Sequence, residues 1–133
     1  MARMLFLFCL IIATGCGSKV TSVYPVSGKV LLGEKAVANA TVVFHPIDPA
    51  ERSPRFRATT GADGTFVIAS VEGQSGAPEG AYRVTVEQWL AGTRNDDGPS
   101  NRLPAKYAKP ESSGLSATVV AGSNQLSPFV LKK

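Results

Sequence analysis

The stretch that decides the fold of this 133-residue chain is Gly80-Ala81-Tyr82-Arg83-Val84-Thr85-Val86-Glu87. Its apolar side chains are Tyr82, Val84 and Val86, and its polar ones alternate with them at Arg83, Thr85 and Glu87. Successive side chains of a β-strand point to opposite faces of the sheet, so this alternation predicts a strand with one buried and one polar face.

Six other stretches share this character, with apolar or β-branched residues at alternate positions and turn residues between them. They lie at 26–32, 41–45, 56–60, 66–68, 115–119 and 129–131. No run of ten residues has a helical period. Seven short strands on about 110 residues predict an all-β fold, a seven-stranded antiparallel sandwich of two layers.

The same alternation predicts which side chains are buried. The expected core is Val26, Val30, Val42, Phe44, Phe66, Ile68, Tyr82, Val84, Val86, Leu115, Val119 and Leu131. Because Tyr82 lies near the start of its strand after a turn, its hydroxyl is expected to bond to nearby backbone, as in a tyrosine corner. Gly61-Ala62-Asp63-Gly64 predicts a tight turn with positive φ, and it has too few oxygen ligands for a calcium loop.

Four segments in this order resemble the carboxypeptidase regulatory-like domain. They are Pro25–Val30, Ala40–Phe44, Thr60–Phe66 and Pro78–Val86. Two later segments, 103–107 and 113–115, are similar to those of small lipoproteins of planctomycete-type bacteria, and the likeness extends over residues 24–131. The resemblance implies a transthyretin-like (prealbumin-like) sandwich with an accessory or binding role and no defined reaction.

The first sixteen residues predict export. Arg3 precedes an unbroken apolar run from Leu5 to Ile12, and small residues then lead to Cys16. This is the pattern of a secretion signal, and the apolar run is about half the roughly 20 residues that a membrane-spanning helix needs. The junction resembles the lipobox of bacterial lipoproteins, in which the cysteine is lipidated; an ordinary secretory signal cut elsewhere is the alternative.

The cysteine count agrees with a lipid anchor. Of the two cysteines, Cys9 lies in the segment that cleavage would discard, so a mature chain would carry one thiol, Cys16, and no internal disulfide. We therefore predict a signal peptide at 1–15, a lipidated Cys16 with a short tether at 16–23, and a sandwich domain at 24–133. The mature protein is expected at a membrane on its extracytoplasmic side, in the periplasm or at the cell surface.

The charge pattern disfavours nucleic acid as a partner. The formal net charge is +4, but the lysines and arginines are dispersed and form no dense run. Nucleic-acid binding requires a clustered basic patch or stripe. Weak attraction to anionic lipid or polysaccharide is a better match to such a surface.

Few residues could support catalysis. His45 is the only histidine, so neither a multi-histidine metal site nor a standard triad is expected, and we predict no cofactor or metal. His45 is expected to point outward at a strand end, next to Pro46. The alternative to a non-enzymatic protein is a small extracytoplasmic enzyme using His45 with loop acids such as Asp96 and Asp97.

The segment 89–114 stands out because no strand pattern is visible in it. Loops of this length are commonly functional. Trp89, Arg94 and Tyr107 are its candidate ligand-binding residues, because aromatic side chains beside polar ones suit stacking on sugars or peptides. The alternative is a lid, pinned over an open end of the sandwich by Leu103, Pro104 and Tyr107. The leading hypothesis is a lipid-anchored envelope protein that binds or scaffolds an envelope protein or a polysaccharide.

Overall fold

The computed structural model describes residues 22–48, 55–68, 75–92 and 98–133. The strands of this part are Val23–Tyr24 (β1), Val26–Leu32 (β2), Lys35–Ala36 (β3), Thr41–Pro46 (β4), Phe56–Thr59 (β5), Thr65–Val67 (β6), Ala77–Pro78 (β7), Gly80–Glu87 (β8), Trp89–Leu90 (β9), Ser100–Asn101 (β10), Leu115–Val119 (β11), Asn124–Gln125 (β12) and Phe129–Leu131 (β13). A 3₁₀ helix spans Ala105–Ala108. The fold is all-β, as predicted.

One of the two main sheets has four antiparallel strands in the order β11-β8-β4-β5. The decisive stretch of the sequence forms β8, which lies inside this sheet between β11 and β4. Val42 is the Cα partner of Val86, and Phe44 is the partner of Val84. The apolar residues of β4 and β8 therefore share one face, which packs against the core.

The second sheet is built around β2. On one side β2 pairs with β12 and then β13, both parallel to it; on the other it pairs with β6 and β3, both antiparallel. Two small antiparallel pairs, β1 with β7 and β9 with β10, lie outside these sheets.

Aromatic rings join the two sheets across the core. Phe44 of the four-stranded sheet lies 6.2 Å, between ring centroids, from Phe66 of the second sheet. Phe66 stacks on Phe129 at 6.2 Å, and Tyr82 meets Phe44 edge-on at 5.9 Å. This arrangement of two sheets around one apolar cluster is sandwich-like.

The predicted core is confirmed except at Leu115. Eleven of the twelve predicted residues are buried, whereas Leu115, at the start of an edge strand, is only partly buried and packs against the cluster. In β11, Ala117 and Val119 point fully inward. The alternation predicted the correct face of the strand for Leu115. It could not predict how much of the Leu115 side chain the neighbouring residues cover.

The prediction of an entirely antiparallel arrangement is wrong, and the predicted count of seven strands is not confirmed. Both β12 and β13 run parallel to β2, because the chain enters the second sheet after β11 in the direction of β2. In addition to the predicted strands, the described residues form six strands of only two residues each: β1, β3, β7, β9, β10 and β12. Alternation indicates which face of a strand a residue occupies. It indicates neither the direction of the strand in its sheet nor the presence of strands only two residues long.

Both predicted local structures are confirmed. The Tyr82 hydroxyl donates a buried hydrogen bond to the carbonyl oxygen of Pro78 at 2.7 Å, so its ring belongs to the core as expected. Gly64 has φ +78°, and its N–H donates to the carbonyl of Gly61 at 3.0 Å. A side chain at Gly64 would also meet the carbonyl oxygen of Val30 at 2.6 Å from its Cβ, so glycine is required there on both counts.

Truncating the ring at the centre of the core should be costly. Phe66 is 2 % exposed, and we expect Phe66→Ala to lower the free energy of unfolding by about 3–5 kcal/mol, as other large core truncations do. Val67→Ala is the matched control on the same strand, because Val67 is 61 % exposed. Chemical denaturation measures both variants, and equal stabilities would contradict this assignment of the two faces.

Candidate functional site

The segment 89–114 contains regular structure that its sequence did not reveal. β9 and β10 pair as an antiparallel ladder in which Asn101 is the Cα partner of Trp89, and the 3₁₀ helix follows at Ala105–Ala108. The prediction of a segment without strands is therefore wrong. Two-residue strands are too short to produce a detectable alternation.

Side-chain hydrogen bonds hold the base of the β9–β10 pair. The Asn101 side-chain oxygen accepts from the backbone N–H groups of Gln88 at 3.0 Å and Leu103 at 3.1 Å. The Gln88 side-chain amide donates to the carbonyl of Ala38 at 2.8 Å, and the backbone N–H of Arg102 donates to the carbonyl of Gln88 at 2.8 Å. These bonds attach the pair to the sandwich and fix where it leaves β8.

Trp89 is exposed but oriented. Its side chain is 56 % exposed, and the neighbouring Leu90 is 39 % exposed. The indole Nε1–H donates to the Glu87 carboxylate, on the last residue of β8. Trp89 therefore presents an aromatic surface to solvent in an orientation that a hydrogen bond to the rigid sheet maintains.

Tyr107 lies elsewhere and is buried. Its side chain is 4 % exposed, and its hydroxyl accepts from the backbone N–H of Lys132 at 2.8 Å and donates to the Lys132 carbonyl at 3.3 Å. The Lys106 ammonium lies 4.9 Å from the centroid of the Tyr107 ring. Buried Leu103 lies just before the helix. This half of the segment fits the lid alternative, and the structure does not present Tyr107 to a ligand at the surface.

Four residues that the sequence analysis singled out lie outside the described residues. They are Arg94 of the candidate ligand site, the lipidation candidate Cys16, and the loop acids Asp96 and Asp97. Of the three candidate ligand-binding residues, Trp89 alone is both described and exposed.

His45 lies near the end of β4, as predicted, on the sheet face turned away from the core. We call this the outer face; its members are Thr41, Val43, His45, Arg57, Arg83, Thr85 and Glu87. The His45 Nε2 and the Thr85 hydroxyl are 3.0 Å apart and share a hydrogen bond. Thr85 is 3 % exposed, although it lies on this face.

The environment of His45 favours its neutral form. Partial burial is the main cause of a pKa below the ordinary 6.5, and the nearby positive charge of Arg55 lowers the pKa further. The negative charge of Glu111 opposes both effects and raises the pKa by less. Among the described residues, Thr85 supplies the hydrogen-bonding side chain at the imidazole, and no carboxylate does so.

The sheet register brings together arginines that the sequence shows only as dispersed. Arg57 is the Cα partner of Val43, and Arg83 is the partner of His45, so both side chains lie on the outer face. The sequence shows Arg57 in the triplet Arg55-Phe56-Arg57 and Arg83 on the polar face of β8. That the two arginines lie near each other follows only from the pairing of β5 and β8 with β4.

Asp63 acts in a turn, as predicted. Its carboxylate accepts from the Thr65 hydroxyl at 2.6 Å and from the Thr65 N–H at 3.1 Å, and these bonds lower its pKa. Within the described ranges there is no group of three or more histidine, cysteine or acidic side chains suited to a metal ion. In the same part of the chain, no helix has the length and apolar character needed to cross a bilayer.

Comparison with known proteins shows no family for this chain. No family model matches the sequence, and no curated protein matches it significantly. A crystal structure from Pseudomonas aeruginosa, described as that of a "putative carbohydrate binding protein", is 14% identical, covers 85% of this chain and 90% of its own, and has a TM-score of 0.43. A likeness this low carries neither fold nor function across, so the carboxypeptidase regulatory-like resemblance stays a prediction.

Protonation of His45 should lower the stability of the fold. Because its folded pKa is below 6.5, the unfolded chain binds more protons between the two values. The contribution of neutral His45 to the free energy of unfolding is therefore complete above pH 6.5. It is lost as the pH falls from 6.5 toward the folded pKa. His45→Gln does not titrate, so its free energy of unfolding should fall less between about pH 7.5 and 5.5.

Urea denaturation of both proteins at the two pH values measures this difference. Asp63 does not interfere, because its lowered pKa places its own titration below this range. The same loss of stability in both proteins would show that His45 is not responsible for it.

Proposed function

We propose that this protein is a lipid-anchored, non-catalytic binding domain of the cell envelope, and that it holds a polysaccharide at Trp89. The proposal depends on one observation: the indole of Trp89 is exposed, and its hydrogen bond to Glu87 fixes its orientation at the start of the β9–β10 pair. Large apolar side chains are usually buried on folding. An exposed Trp held in one orientation is therefore suited to a ligand.

The anchoring of the strand pair supports a binding role for Trp89. Ordering a flexible side chain opposes binding, so a residue that is already ordered binds more tightly for the same contact. The hydrogen bonds of Gln88 and Asn101 fix the backbone around Trp89, and the bond to Glu87 fixes the ring. The apolar face of a sugar can stack on such a ring while its hydroxyls stay in contact with water.

The hydrogen bond of His45 favours binding over catalysis. Nε2 is the ring atom engaged by the Thr85 hydroxyl, and Thr85 itself is buried. This pair stabilises the attachment of β4 to β8 on the outer face. The alternative enzyme would need His45 beside Asp96, Asp97 or another acid of the long loop; Asp96 and Asp97 lie outside the described residues.

The anchor is proposed from the sequence alone. A short apolar run followed by Ala13-Thr14-Gly15-Cys16 fits export and lipidation. Two acyl chains are enough for stable membrane attachment. The tether from Cys16 reaches β1 at Val23 and, at no more than about 3.6 Å per residue, would keep the domain within roughly 25 Å of the membrane.

Lipidation can be tested with the two cysteines of the chain. In cells fed labelled palmitate, we expect the wild type to carry label and Cys16→Ser to carry none, because the acceptor thiol is gone. Cys9→Ser is the matched control and should keep the label, since Cys9 lies in the discarded segment. Label on the Cys16→Ser protein would refute the lipoprotein assignment.

Binding can be tested by separating Trp89 from Tyr107. Trp89→Ala should abolish capture on a glycan array and change the free energy of unfolding by no more than about 0.5 kcal/mol, as exposed substitutions usually do. Tyr107→Ala should lower stability by about 3–5 kcal/mol, because it removes a buried ring and two hydrogen bonds, and should leave binding by the folded fraction intact. Val130→Ala is the control for an exposed apolar residue, at 50 % exposure. Unchanged capture by a folded Trp89→Ala protein would remove this site from consideration.

A further inference from the structure

The arginines of the outer face form a basic surface across three strands. Arg57 on β5 and Arg83 on β8 flank β4, opposite Val43 and His45 respectively; two strand spacings and a two-residue offset place their Cα atoms about 12 Å apart. Arg55, just before β5, lies close enough to His45 to lower its pKa. No carboxylate among the described residues forms an ion pair with any of the three.

Trp89 continues this surface along the direction of β8. Glu87 is on the outer face as the Cα partner of Thr41, and the indole of Trp89 bonds to the Glu87 carboxylate. From Arg83 to Trp89 is six residues, which is about 20 Å at the rise of a strand. The exposed ring and the arginines are therefore two parts of one elongated surface.

We infer that the ligand of this surface is an acidic polysaccharide, a glycan chain that carries carboxylates and lies along the outer face. The inference rests on the proposed function, which needs only a sugar on Trp89, and adds the chemistry of the ligand. One sugar ring stacks on Trp89, and carboxylates further along the chain meet Arg83 and Arg57. Arginine matches a carboxylate with two parallel N–H donors, which makes these the strong contacts.

The acids and hydroxyls on the same face favour a glycan over an anionic lipid surface. Glu87 lies on the outer face, and Glu111 is close enough to His45 to influence its pKa; a uniformly negative membrane would repel both carboxylates. A sugar chain instead offers hydroxyls that can donate to Glu87 and bond to Thr41. The face thus combines positive charge with hydrogen-bonding groups, and a carboxylated sugar chain offers the complementary set of negative charges and hydroxyls.

A pair of probes with the same backbone tests the charge. The full-length protein in a neutral detergent is titrated with an oligogalacturonate and with its methyl ester, which has no charge. We expect the acidic probe to bind at least about tenfold more tightly at low salt, and added salt to reduce this preference because the contacts are exposed. Arg83→Gln and Arg57→Gln should each weaken the acidic probe about fivefold and leave the ester unchanged.

Control variants separate this inference from the proposed function. Lys35→Gln removes one positive charge from β3, on the other sheet, and should bind both probes as the wild type does. Trp89→Ala should weaken both probes. If both probes bind equally and only Trp89→Ala weakens them, the acidic ligand is wrong and the proposed function stands. If Trp89→Ala weakens neither, the proposed function fails.

Two further outcomes would overturn the inference. One is failure of the acidic probe to bind at all. The other is a preference for vesicles of phosphatidylglycerol over phosphatidylcholine that Arg57→Gln and Arg83→Gln abolish, without any preference for the acidic glycan. The lipid anchor contributes equally to both kinds of vesicle, so this comparison isolates the charge of the outer face.

Discussion

The closure of the two sheets onto each other depends on the missing side chain of Gly28. The ring of Phe66 occupies the space in front of it, and a Cβ at Gly28 would come within 2.6 Å of the Phe66 Cζ. From this position the ring meets Phe44 of the opposite sheet and stacks on Phe129 of the last strand. The central packing of the core therefore requires glycine at one position and a flat ring at the other, because interiors this dense do not absorb an extra methyl group without strain.

The strand β8 connects this core to the candidate site. Its inward residues, among them Val84, pack under the aromatic cluster, and its outward residues supply Arg83, the partner of His45, and the carboxylate that orients Trp89. The position of the indole consequently depends on the same strand pairing that buries the core. A surface built in this way is rigid, because its side chains project from the most constrained part of the sheet.

Sequence reasoning succeeded where alternation alone determines the outcome and failed where pairing does. The inward face of β8 and the tyrosine corner at Tyr82 could be predicted, since each depends on local spacing. The arginine surface could not, because Arg57 and Arg83 are far apart in the chain and meet only through the register of β4. The candidate residue Tyr107 looked suited to stacking, but only the structure shows that the backbone of Lys132 engages its hydroxyl.

The pairing of β2 with β13 has a consequence for when the sandwich can close during synthesis. β2 is the first long strand of the described chain, and its partner β13 lies about a hundred residues later in the sequence, so it is synthesised long after β2. The second sheet cannot be completed until synthesis has passed Leu131, and contacts between such distant segments form slowly. The second sheet thus stays incomplete until this late point of synthesis. The export proposed above requires an unfolded chain, and this late completion of the second sheet is compatible with it.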